Sequence, residues 1–406
     1  MNLEKIGLWT KDFVIISLVN FSIALNFYLL MIIISEFAMN KFKALPSEAG
    51  LAAGIFIFGA LIARLLSGKW IGIIGQQNTL YTGLILGLAT TSLYFVANSV
   101  MLLLVIRFLH GISFGIASTA TGTIVANIIP KIRCGEGIGY FGLSVTVASA
   151  IGPFIGMFFS QHGSYSMIFA ACTIVSAFNI VIALFLSTGD ERLTREQLAE
   201  LKEFKLSNFF EPKVIPISVV CMVIFFCYSS VISFLSVYSK EINLMGAASF
   251  FYVVFAAVIF FSRPVVGRLF DSKGENLIMY SAILIFMIGM ITFSQAHYGY
   301  MILLAGALIG LGYGAIQSSG QAIAVKATEP HRMGLATSTF FMLADVGMGI
   351  GPLIFGLVIF FTSYREMYMG VAIIVAVSLL LYYLLHGRTV KSEEKIIMKS
   401  KHLNYG

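Results

Sequence analysis

The amino-acid sequence predicts an all-α integral membrane protein whose twelve transmembrane helices form two pseudo-symmetric six-helix bundles. Three observations carry that prediction. The 406-residue chain is 58% apolar and only 11% charged, whereas a soluble domain carries about 25% charged residues. Twelve apolar stretches each reach the roughly 20 residues a helix needs to cross the hydrocarbon core. The chain also repeats itself at an offset of 199 residues. Arg64, Gly68, Gly75 and Tyr81 recur as Arg263, Gly267, Gly274 and Tyr280, Gly111 and Gly115 as Gly310 and Gly314, and Gly152-Pro153 as Gly351-Pro352. Drift does not easily produce so many spaced matches at one offset. Two similar membrane halves joined head to tail leave a pathway between them, which is a transporter's architecture.

Taken in order, the stretches cover roughly 12–35, 47–70, 78–97, 100–126, 136–160 and 164–187, then 214–239, 246–270, 275–295, 299–325, 333–361 and 364–386. Each is cut from the next at charged residues or at Gly, Pro and Asn. The first follows a short polar start and runs too long for a cleaved signal peptide, so it is expected to be retained. Every stretch must be helical, because each unpaired backbone group in lipid costs several kcal/mol. The domain plan is therefore a bundle over 1–187, a linker over 188–213, a bundle over 214–386 and a basic tail over 387–406. In the linker, Leu193, Leu198, Leu201 and Phe204 form a rough helical stripe suited to the membrane surface.

Lysine and arginine set the expected orientation. With both termini cytoplasmic, 21 of the 26 basic residues fall on the cytoplasmic side. Lys41, Lys43, Lys240 and Arg365 fall outside, and Arg107 lies within a span. The net charge of +7 is thus a topology signal and does not imply nucleic acid. A multi-pass protein of the cell membrane is expected, working as a monomer with lipid, protons and a small-molecule substrate as partners.

Enzyme patterns are weak. Gly137, Gly139 and Gly142 satisfy G-x-G-x-x-G, but a dinucleotide site needs that turn after a strand. Here it opens a membrane helix, where small residues permit close packing. The chain lacks a P-loop and an H-E-x-x-H motif. Cys134, Cys172, Cys221 and Cys227 are scattered without a C-x-x-C pair, which suggests neither disulfides nor a metal site. No cofactor and no enzymatic activity are expected.

The half-repeat resembles a known pattern. Gly267-Arg268-Leu269-Phe270-Asp271-Ser272-Lys273-Gly274 is similar to the motif between helices 2 and 3 of the major facilitator superfamily, in particular its twelve-helix drug/proton antiporters. The first copy keeps Gly68 and Gly75 but has Gly72 where the family carries an acid. Arg107 and Gly111 resemble the R-x-x-x-G motif associated with proton coupling. Gly152-Pro153 with Gly156 resembles the antiporter motif, without its last glycine. The resemblance implies that fold, alternating access, and proton-coupled export of small organic compounds, multidrug efflux included. It also implies a cavity lined chiefly by helices 1, 4, 7 and 10.

Site expectations follow. An acid near the start of the second-half loop pairs with a base and latches the cytoplasmic side, so Asp271 with Arg263 or Arg268 is expected to form an asymmetric gate. A charge at bilayer depth costs about 2.5–3.5 kcal/mol and marks function. That singles out Asp345 as the proton carrier, with Arg107 and His110 beside the path and Glu36 as runner-up. The family often carries an acid within helix 1; here Asn20 and Asn26 occupy that span. Substrate contacts are expected from Asn20, Asn26, Tyr28, Ser113, Phe114, Phe226, Tyr228, Phe234, Tyr313 and Gln317, a lining that suits an amphipathic molecule. Two other functions fit the same chain: a dedicated carrier of one sugar, amino-acid derivative, metallophore or lipid headgroup, or a non-transporting receptor.

Overall fold

The structure is a computed structural model that describes residues 7–162, 164–187, 205 and 208–389. The linker stripe at Leu193, Leu198, Leu201 and Phe204, and the tail beyond residue 389, lie outside the described residues. Among those described, twelve helices are long and apolar enough to cross a membrane. We number them α1 (Lys11–Phe42), α2 (Pro46–Ile74), α3 (Gln76–Leu93), α4 (Val100–Ile128), α5 (Cys134–His162), α6 (Tyr165–Ala183), α7 (Ile215–Glu241), α8 (Phe251–Lys273), α9 (Glu275–Ser294), α10 (Gly299–Lys326), α11 (Met333–Phe361) and α12 (Tyr364–Tyr382). Each contains the greater part of one expected stretch. Boundaries differ where polar residues continue a helix beyond the apolar run. Thus α1 carries on through Glu36 and Lys41 and stops only where Lys43 turns left-handed, with φ 56°. At its other end Thr10 caps the helix by accepting from the Phe13 amide at 3.2 Å, meeting one of the four orphan donors of a helix start.

The chain forms two compact units. One comprises the described residues through Glu211 together with Val325–Met342; the other comprises Pro212–Ala324 and the described residues from Leu343 onward. In the first unit α2 packs along α4, α1 along α5, and α3 along α4. A dry core of Leu29, Leu30, Ile33, Ile34 and Phe37 from α1 meets Leu103 and Ile106 of α4 and Phe169 of α6. In the second unit α9 packs against α12, and α12 against α7. Large apolar side chains stand outward instead of inward: Leu353, Phe360, Phe361 and Phe261 are each at least 71% exposed. Water would tolerate no surface of that kind at this scale, and lipid does.

The repeat is built into the backbone of each unit. Gly75 ends α2 with φ 89° and starts α3; Gly274 ends α8 with φ 88° and starts α9. A left-handed conformation favours glycine at both positions. Gly111 of α4 rests on the backbone of Phe56 in α2, and Gly310 of α10 rests on that of Phe255 in α8. A side chain at either position would push the paired helices apart.

Candidate functional site

The first unit holds a buried cation satisfied by neutral groups. Arg107 is 0% exposed. Its Nε donates to the carbonyl of Ala52 at 3.0 Å, and Nη2 to that of Ala53 at 3.5 Å. Nη1 donates to the Tyr94 hydroxyl at 3.5 Å, while the guanidinium lies 4.7 Å from the centre of the Phe56 ring. Among the described residues no carboxylate pairs with it. The Tyr94 hydroxyl also meets His110 Nδ1 at 3.1 Å, so Arg107, Tyr94 and His110 form one chain between α4 and the end of α3. His110 sits edge-on to Phe56, with ring centres 5.4 Å apart. No motif marked Tyr94 or Phe56; a tyrosine at the end of an apolar span was their only trace in the sequence.

Asn20 and Asn26, both expected in the substrate lining, tie α1 to its neighbours inside this unit. Asn20 donates to Ser144 at 2.8 Å and accepts from Thr121 at 3.1 Å. Asn26 donates to Ser176 at 2.9 Å and to the Cys172 carbonyl at 3.2 Å. Phe114 packs on Phe27 and Phe56, and Arg64 lies 5.7 Å from its ring centre. The Gly152-Pro153 step falls within α5, where Gly152 touches Tyr28 and Gly156 approaches the Leu29 carbonyl of α1. The antiporter-like motif therefore seats α5 on α1. Glu36 stands on the exposed end of α1, 3.5 Å from Asn40.

The first-half copy of the motif, which lacks the acid, packs against the start of α11. Ser338 of α11 donates to the Arg64 carbonyl, Gly68 backs onto Gly334 and Ser338, and Arg64 lies 4.8 Å from the Phe341 ring centre. Nearby, Glu211 accepts from Arg332 Nε at 2.5 Å, and the Glu211 amide donates to Thr339 at 2.9 Å.

In the second unit the expected gate and lining residues join each other. Arg263 donates from Nη2 to Gln317 Oε1 at 2.6 Å. Arg263 and Gly267 are buried and Arg268 is exposed. Tyr228 and Tyr313 stack with centres 4.0 Å apart, and Phe255 stacks on Tyr228 at 5.3 Å. Phe226 packs on Phe355 at 4.5 Å, and Phe234 on Tyr364 at 6.2 Å. Asp345 is half-buried in α11 beside buried Ala344.

Twelve apolar helices, an internal repeat carried by paired glycines, and charge sequestered at membrane depth define a multi-pass membrane transporter. The sequence matches the family model for the Major Facilitator Superfamily over residues 16–298 and 276–402, and the chain belongs to that family. It is similar to an uncharacterized MFS-type transporter of Methanocaldococcus jannaschii, 25% identical over 83% of this chain and 88% of the relative. It is also similar to the multi-drug resistance efflux pump PmrA of Streptococcus pneumoniae, 24% identical over 86% of this chain and 88% of that protein. The multidrug resistance protein MdtG of Escherichia fergusonii is 21% identical over 90% of this chain and 92% of its own length. Among solved structures, the human organic anion transporter MFSD10 matches with TM-score 0.76 at 13% identity, covering 91% of this chain and 98% of its own. The transporter FucP matches with TM-score 0.70 at 17% identity, covering 92% of this chain and 98% of its own. Members of this family are transporters, not enzymes.

Proposed function

We propose that this transporter exports small organic compounds, unrelated toxicants included, in exchange for protons. It works in the cell membrane with both termini cytoplasmic, by alternating access. The observation that carries the reading is Arg107. A cation fully buried among carbonyls and an aromatic ring is expensive to keep at membrane depth unless its charge is used. The names of two relatives, both multidrug pumps, support the same direction at 21–24% identity. In this reading Asp345 takes and releases the proton, and Arg107 and His110 belong to the proton-coupling residues of the first unit. Asp271, with Arg263 or Arg268, holds the cytoplasmic gate. The rings of Tyr228, Tyr313 and Phe255 are buried and stacked on one another in this structure; in this reading Tyr228 and Tyr313 meet an amphipathic substrate once the transporter changes conformation.

The test is uptake of a fluorescent lipophilic dye into proteoliposomes across an imposed proton gradient. The parent should accumulate dye against its gradient and lose that ability when the proton gradient collapses. Asp345→Asn should abolish uphill transport yet keep dye exchange. Uphill transport by Asp345→Asn at the parental rate removes Asp345 from the role, and gradient-independent transport by the parent removes proton coupling. Protection against only one compound in a panel would point instead to a dedicated carrier.

A further inference from the structure

Inside the first unit, between α1, α3, α4 and α6, lies a cavity of about 30 Å³. Asn26, Gly87, His110, Ser113, Ser176 and Asn179 are among its lining. That volume suits one or two water molecules, since a single water needs about 10–15 Å³ measured in this way.

The hydrogen bonds around the cavity run in one direction. Arg107 has only donors, so Tyr94 Oη must accept from it. The Tyr94 proton then points to His110 Nδ1, its other described neighbour at 3.1 Å. His110 Nδ1 is therefore an acceptor, and the neutral ring carries its proton on Nε2. No described group accepts that proton. At the far wall the need is reversed. The Asn26 amide nitrogen donates to the Cys172 carbonyl and to Ser176, and the Asn179 amide nitrogen donates to the Val19 carbonyl at 3.3 Å. Backbone carbonyls accept only, so both amide orientations are fixed. Oδ1 of Asn26 and Oδ1 of Asn179 are then left buried and without a hydrogen bond among the described residues; the two residues are 6% and 2% exposed. A donor at one wall and two orphaned acceptors at another, across a water-sized gap, specify a molecule that accepts one bond and donates two.

We propose that this cavity is a hydration site. One or two ordered waters accept from His110 Nε2 and donate to Asn26 and Asn179, completing a chain that begins at Arg107. The site also fixes the imidazole as the neutral Nε2–H tautomer and is His110's contact with solvent. A sodium ion fits less well: the cavity offers neutral oxygens, no carboxylate, and a buried arginine at the other end of the chain. Glycine at position 87 is what leaves the room, because a methyl group there would stand 3.3 Å from Ser113 Oγ.

Water-edited nuclear magnetic resonance on the full chain in lipid, labelled with nitrogen-15 at histidine, reads the proposal without any transport. The His110 signals are assigned by their loss in His110→Ala. The expected result is an unprotonated Nδ1, a protonated Nε2, and magnetisation passing from water to the Nε2 proton. Gly87→Ala should reduce that transfer several-fold while the other histidines keep theirs, and Asn179→Leu, which removes one acceptor, should do the same if Gly87→Ala does not fold. A proton on Nδ1, a charged ring, or water transfer that both variants leave unchanged would overturn the site. Sodium-dependent shifts of the His110 signals would assign the cavity to the ion instead. Failure of the hydration site leaves proton-coupled export to stand or fall with Asp345 in the dye assay, and loss of that reading would leave the hydration site standing.

Discussion

At the scale of single residues, Arg107 shows why burial and charge must be weighed together. Its guanidinium makes three hydrogen bonds in a fixed fork and lies against the Phe56 ring. A lysine offers one mobile ammonium and no plane to stack, so Arg107→Lys cannot hold both carbonyls and Tyr94 together. Each bond from a charged donor is worth about 1.5–3 kcal/mol, so Arg107→Lys should lower coupled dye transport by at least about tenfold. Arg107→Met should also lose coupled transport, yet unfold within a few degrees of the parent, since an apolar residue of similar volume often replaces a buried ion at little cost. Dye uptake and thermal unfolding in detergent, measured on both variants, check the pair of outcomes. A Met variant that transports normally would make Arg107 structural. The sequence made Arg107 and His110 visible because charge and imidazole stand out in an apolar span. It hid Tyr94, Phe56, Ser176 and Asn179, whose roles depend on which helix faces which.

At the scale of elements, glycines separate into those the fold requires and those it does not. Gly75 and Gly274 take φ near 88–89° at the α2–α3 and α8–α9 turns, with ψ of 155° and 161°, where a side chain costs roughly 1–3 kcal/mol. Gly50, within α2, has open space where a Cβ would stand, and alanine there should gain about 0.5–1 kcal/mol of helix stability. Thermal unfolding should therefore fall for Gly75→Ala and Gly274→Ala by similar amounts and rise slightly for Gly50→Ala. A parental midpoint for Gly75→Ala would contradict the turn. The turn glycines could be read beforehand because they recur at one offset and sit between apolar runs. Helix ends could not: Glu36 and Lys41 look like a boundary, but α1 carries them to Phe42, because a polar side chain at the membrane surface does not oppose a helix. The contact of the first-half motif with α11 was also hidden, since the Ser338 bond to the Arg64 carbonyl joins residues 274 apart through backbone that no motif describes.

At the scale of the whole molecule, the repeat preserves packing while dividing chemistry. Phe56 and Phe255, which receive Gly111 and Gly310, are themselves 199 residues apart, as are Tyr94 and Phe293, and Phe169 and Tyr368. The counterpart of Arg107 is Gly306, and that of His110 is Ile309. A Cβ at Gly306 would meet the Phe251 ring at 3.1 Å, so an aromatic side chain closes in the second unit the space that a cation occupies in the first. One ancestral scaffold thus carries a polar chain in one unit and an aromatic core in the other. That pattern could not be read from the offset alone, which reports matches and is silent about what replaces a mismatch. Orientation follows from charge instead of packing. With the bulk of Lys and Arg on one side, the α1–α2 turn is expected outside and the α2–α3 turn inside. All four native cysteines are buried, so the parent should stay silent to a membrane-impermeant maleimide. Leu45, 63% exposed before α2, and Asn78, exposed at the start of α3, are then suitable reporters. Leu45→Cys should label in intact cells, whereas Asn78→Cys should label only after the membrane is opened. The reverse pattern would place the termini outside and turn the proposed export into uptake.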